Sequence, residues 1–173
     1  MKKLMIGIIS VAIVCMTFMM GCKPSPEDIN LIAKNAGLFS SVIWIATDNP
    51  SQVVKSNVVD VLNVAEGAIT NVQSGQSYST VIYPIVEKYV IASTKIKPQD
   101  KPLVLAGALA TLNGIDILFA AHPEWKPTEA IAQNAAIAFI DGAEQGLELP
   151  SNSPILIQAV KGNKMRAVIF TKK

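Results

Sequence analysis

One histidine, His122, and two cysteines, Cys15 and Cys22, are the only side chains of their kinds in 173 residues. A transition-metal site built on His and Cys needs three or four such ligands, so no metal and no cofactor are expected. A serine hydrolase needs a base, and His122 is the one ordinary candidate, but no Gly-x-Ser-x-Gly elbow accompanies it. The residue reads instead as the carboxyl end of a helix, where the dipole favours it. Asp141 with Glu144, and Glu144 with Glu148, are spaced so that each pair shares one helix face. Paired carboxylates can hydrolyse glycosides, yet this spacing is ordinary on an exposed helix and no aromatic cluster marks a sugar cleft. Asp116 stands among Ile115, Ile117, Leu118 and Phe119. It is either a buried acid with a shifted pKa or, the reading we favour, a carboxylate satisfied by a helix terminus, Asn or Lys. No residue is assigned a catalytic role, and the chain is read as a non-enzyme.

The segment with the chemistry of a contact site is the turn His122-Pro123-Glu124-Trp125. A Trp beside charged groups is a good anchor for a partner, and Pro123 limits the entropy lost on binding. His122, Glu124 and Trp125 are therefore the recognition candidates. The alternative is that Trp125 covers one end of the fold, since a Trp buries a large area. Trp44, between Ile43 and Ile45, is expected in the core.

These residues must be positioned by helices. Ser25 with Pro26 forms a helix start, and Glu27 and Asp28 suit the positive end of its dipole. Ile29, Ile32, Ala36, Phe39, Ile43 and Ala46 then recur at helical spacing, which predicts one packed face. Asp48-Asn49-Pro50 ends that helix and Ser51 caps a second, with Val54, Val58, Val61, Ala65, Ala68 and Val72 facing inward. Ser74-Gly75-Gln76-Ser77 breaks the chain before a third helix over 79–95, with Pro84 in its first turn or kinking it. Residues 103–121 form the most apolar stretch. Its length admits a membrane span, but Asn113 and Asp116 are costly in hydrocarbon, so it is read as the central helix of a bundle. Ala106, Ala110 and Gly114 would let a neighbour approach closely. A fifth helix is predicted from Thr128 and Glu129 to Leu147. Beyond Pro150, Ile155–Val160 and Met165–Phe170 flank Lys161-Gly162-Asn163-Lys164, which suggests a β-hairpin; Ser153-Pro154 equally suits a helix start. The expected fold is mainly α, an antiparallel bundle of about five helices with a possible C-terminal β-hairpin.

The amino terminus has a different character. Met1-Lys2-Lys3 precedes roughly fifteen apolar residues, a layout of export signals, and the run is shorter than the roughly twenty residues of a comfortable span. It stops at Gly21-Cys22-Lys23-Pro24. Met19-Met20-Gly21-Cys22 resembles the bacterial lipobox, matching at Gly21 and Cys22, with Met19 in place of the usual Leu and a bulkier Met20. The resemblance covers only the signal and cleavage site. It implies loss of residues 1–21, a diacylglycerol thioether on Cys22 with further acylation such as palmitate, and attachment to a membrane through that lipid. Lys23, rather than Asp, implies outer-membrane sorting by similarity to lipoprotein sorting signals, with the domain facing the periplasm. The alternative is an uncleaved amino-terminal membrane helix. The expected organisation is a signal peptide over 1–21, a lipidated tether over 22–26, a helical domain over 27–150 and a basic appendage over 151–173.

Without Lys2 and Lys3 the remaining chain carries thirteen bases against thirteen acids, so its formal charge is near zero. Lys161, Lys164, Arg166, Lys172 and Lys173 crowd the end without an acid, which reads as a solvated edge; no nucleic acid partner is expected. Two functions follow. The preferred one is a membrane-anchored, non-enzymatic interaction domain binding an envelope or phage protein; in size and layout it is similar to small lipoproteins, including those of phages and prophages that block superinfection. The other is a carrier of a small apolar or lipid ligand among the helices, since half of the residues are hydrophobic and few are aromatic.

Overall fold

A computed structural model describes residues 24–125, 129–150 and 153–154. Five helices are present, α1 (Pro26–Asp48), α2 (Gln52–Gly67), α3 (Tyr78–Ala92), α4 (Lys101–Ala121) and α5 (Glu129–Leu147), with short 3₁₀ turns at Ile69–Asn71 and Pro123–Trp125. There is no strand among the described residues. The sequence signal, Cys22 and the expected hairpin at 155–170 lie outside the described residues.

Each helix start is set locally. Ser25 Oγ accepts from the Asp28 amide at 3.2 Å, while Asp28 Oδ2 accepts from the Ser25 amide at 3.0 Å. The pair is a reciprocal capping box that satisfies two otherwise orphaned amides, and the Ser25 hydroxyl and amide together hold the Asp28 carboxyl below its usual value. Ser51 caps α2 through the Val54 amide, and Ser77 caps α3 through the Thr80 amide. Asn49 closes α1 in a left-handed conformation (φ 46°), donating its amide to the Ile45 carbonyl, and Pro50 prevents continuation. Pro102 is tolerated in the first turn of α4, where a missing N–H costs nothing, so that helix begins two residues before the apolar stretch. Pro84 sits inside α3 on its exposed side, where water can serve the freed carbonyl.

The helix directions follow from named contacts. Val58 meets Gly107 beside Trp44, while Glu66 comes near Glu144, further back along α1, so α2 runs against α1. At one end of the α3–α4 pair Tyr78 stacks on Phe119, ring centroids 5.4 Å apart, and at the other the Lys101 ammonium donates to the Ile91 carbonyl; these two helices are antiparallel. Gly114 lies against Ser40, and Gly107 against Trp44, so α4 also opposes α1. By contrast α5 runs in the same direction as α1, since Gly142 meets Lys34 and Leu38 while Gly146 meets Leu38 and Ser41.

That α1–α5 crossing is the tightest in the fold. A Cβ built on Gly37 would lie 1.9 Å from the Phe139 carbonyl oxygen, and one on Gly142 would lie 1.8 Å from that of Lys34. Backbone thus rests on backbone in both directions, with Gly146 seated on Ser41 Oγ. The contact turns the buried face of α1. Gly37, Ser40, Ser41, Trp44 and Ile45 point inward, whereas Phe39, expected on the packed face, is 38% exposed. Rows of residues four apart replace the alternating three-four stripe, as expected when such ridges interdigitate. On α4 the small residues that admit a neighbour are Gly107 and Gly114, the former against Trp44 and the latter against Phe139; Ala106 is exposed. All six predicted inward positions after Ser51 are buried, but α2 ends at Gly67, so Ala68 and Val72 lie beyond it on either side of the Ile69–Asn71 turn.

By length and composition α1 and α4 could each cross a membrane, but about half of each apolar window is buried inside the bundle. Core side chains such as Leu62, Leu112, Ile115, Phe119 and Phe139 are almost wholly shielded, and each contributes roughly 1.5–3 kcal/mol of burial.

The crossing makes a direct prediction. Gly142→Ala should lower stability by about 1–3 kcal/mol or more, because only backbone movement can relieve the clash. Gly67→Ala meets no atom within 4 Å and should add about 0.5–1 kcal/mol. Urea denaturation midpoints check both.

Candidate functional site

His122 caps the carboxyl end of α4, its amide donating to the Leu118 carbonyl at 3.0 Å. Its ring is largely buried, and Nδ1 lies 2.8 Å from Glu124 Oε1 across the 3₁₀ turn. Glu124 is mostly exposed. Desolvation pushes its carboxyl up, but the His122 hydrogen bond, the backbone N–H of Glu124 and the His122 charge together bring it below the ordinary value. Two of the three recognition candidates are therefore joined. The third, Trp125, belongs to the same 3₁₀ turn by its backbone, and its side chain lies outside the described residues, as does the fourth site residue, Cys22.

Asp116 is the most engaged acid in the fold. Its Oδ1 accepts from the Tyr78 amide at 2.7 Å, and Oδ2 accepts from Ser77 Oγ at 2.7 Å and from the Ser79 amide at 3.0 Å. A carboxylate from α4 thus caps the amino terminus of α3, where backbone amides and the helix dipole both favour a negative charge. This is the satisfied helix-terminus role, and it locks α3 to α4. Burial first, then the charges of Asp116 and Glu129, push the Tyr78 hydroxyl up to about 12. Tyr78 also lines a shallow cleft with Val72–Gln76, Glu129 and Ala132 that has about 30 Å³ of room. That holds one water, far from the ~300–1,000 Å³ of a ligand pocket.

Of the carboxylate pairs on α5, Glu144 has the unusual environment. Burial, then the charges of Glu66, Asp141 and Glu148, push its carboxyl up to about 7. Oε1 is shut off from solvent and has no hydrogen-bond partner among the described residues. The side chain as a whole is half-buried. Glu66, on α2, was not among the sequence candidates; it sits 78 residues away, with no local signal linking it to Glu144. Among the described residues no group of three or more His, Cys, Asp or Glu side chains could hold a metal.

Two measurements test these assignments. Asp116→Ala strands two amides and a hydroxyl and should cost about 3 kcal/mol, with faster hydrogen exchange at Tyr78 and Ser79 and a smaller loss for Asp116→Asn. For Glu144 the folded value lies above the ordinary 4.5, so its contribution to stability is fully present below about pH 4.5 and is lost as pH rises through about 7. Tm should therefore fall across that window by a component that Glu144→Gln removes; an identical pH profile in the variant would contradict the assignment. Comparison with family models, with curated proteins and with solved structures gives no match for this chain.

Proposed function

We propose that the chain is a bacterial lipoprotein, acylated on Cys22 and displayed from the outer membrane into the periplasm, whose helical domain is a non-enzymatic interaction module at the cell envelope. The observation that carries this reading is the start of α1. Its capping box is closed at Ser25, only three residues beyond Cys22, so the folded domain begins where the lipobox-like segment ends. An anchor needs no more chain than that, and two or three acyl chains suffice for stable attachment. The His122–Glu124 pair and Trp125 form the candidate contact element, and the domain's partner is an envelope protein or a component of an incoming phage. The bases from Lys161 to Lys173 are a solvated edge, and 155–170 is read as a hairpin.

The bundle interior is filled by its own backbone at the α1–α5 crossing and by aromatic rings seated on glycines, which favours an interaction role over carriage of an apolar ligand. Mass spectrometry of a lipid extract from the purified protein separates the two; a stoichiometric apolar ligand would favour the carrier.

The anchor is tested by intact mass and fractionation. The wild-type protein should lack residues 1–21, carry a diacylglyceryl group and partition with membranes, and Cys22→Ser should abolish all three. A Cys22→Ser protein of unchanged mass that remains membrane-bound would overturn the reading.

A further inference from the structure

The anchor leaves little freedom for how the bundle stands. Ser25 is three peptide steps from Cys22 and already belongs to the α1 cap, so even a fully extended tether keeps the first turn of α1 within about 10 Å of the lipid attachment point. The helix itself, 23 residues long, extends about 35 Å.

The described contacts fix which other segments share that pole. Since α5 runs with α1 and Gly142 is level with Lys34–Leu38, Glu129 lies about 20 Å back along the axis, beside the first turn of α1. The Val72–Gln76 loop lines one cleft with Glu129 and Ala132 and so belongs to the same pole. The Pro123–Trp125 turn leads from the end of α4 toward Glu129. The Asn49–Ser51 turn and the Ser93–Asp100 loop, joined to α4 at the Lys101–Ile91 bond, lie at the other.

We propose that the pole formed by the Val72–Gln76 loop and the Pro123–Trp125 turn rests on the lipid surface that holds Cys22, so that the recognition turn meets lipid headgroups and the Ser93–Asp100 loop is the outermost part of the domain. This rests on the acylation proposed above. The chemistry of the pole suits zwitterionic headgroups. Thr70, Asn71, Gln73, Ser74 and Gln76 are exposed and uncharged. Of its acids, Asp28 is bonded by Ser25, Glu124 by His122 and Glu129 by Gln133, while Glu27 is exposed. The lysines Lys95 and Lys97, by contrast, are exposed in the opposite loop, available to an acidic protein partner.

The test uses the acylated full-length product. Cys15 leaves with the signal and Cys22 is blocked by lipid, so an introduced cysteine is the only free thiol. Ser74→Cys, Asn113→Cys and Lys97→Cys, all at exposed positions, are labelled with a fluorophore and placed in phosphatidylcholine vesicles containing headgroup spin-labelled lipid. The label at position 74 should lose most of its emission and that at 97 should retain it. Greater loss at 113 than at 74 would lay the uncharged outer strip of α4 on the lipid and overturn the proposal, as would loss at 97 or at none of the three. Intact mass separates the premises: an unacylated Cys22 removes the anchor itself, whereas an acylated protein with the wrong quenching pattern removes only the orientation.

Discussion

Everything in this bundle is arranged around two helices that touch through their main chains. Gly37 and Gly142 each face a carbonyl of the other helix at a separation no side chain could share. Parallel helices align their dipoles unfavourably, so α1 and α5 stay together because close approach maximises dispersion contact and brings Cα–H groups to carbonyl oxygens. The price falls on sequence freedom: three glycine positions and Ser41 must remain small, whatever else changes.

The same economy recurs at longer range. Trp44 and Phe139 place large rings where Gly107 and Gly114 leave notches, so in a chain poor in aromatics these two rings pack directly against main chain. Polar groups that enter this interior are handled unevenly. Asp116 is matched by three donors, and Thr111 returns its hydroxyl to the Gly107 carbonyl at 3.1 Å. Trp44 Nε1 and Glu144 Oε1 have no such match among the described residues, and the second of these leaves the molecule with a carboxyl that titrates near neutrality.

Much of the architecture could be read from spacing alone. Ser25, Ser51 and the stripe Val54, Val58, Val61 and Ala65 of α2 announce their roles within a few residues, because capping and amphipathic periodicity are local effects. The α3 start was displaced by one residue and its end by three, as helix ends commonly are. What escaped was non-local. Gly142 and Gly146 look like breaks in an alanine-rich helix until their partners on α1 are known, and the assumed stripe through Phe39 follows a heptad spacing that the glycine contact overrides. The acceptor role of Asp116 was readable in kind but not in address, since the amides it meets lie 37 and 38 residues away. His122 and Glu124 were legible as neighbours because a turn joins them; Glu66 and Glu144 were not, because only tertiary packing does.

An odd count of alternating helices has a topological result. With α1 and α5 pointing the same way, the polypeptide enters the bundle at one face and departs from the opposite one, roughly 28 Å further along after the 19 residues of α5. The chain after Leu147 therefore sets out from the side remote from Ser25. A probe or fusion joined after Leu147 would report on that remote side, and it would do so without crowding the entry point of the chain.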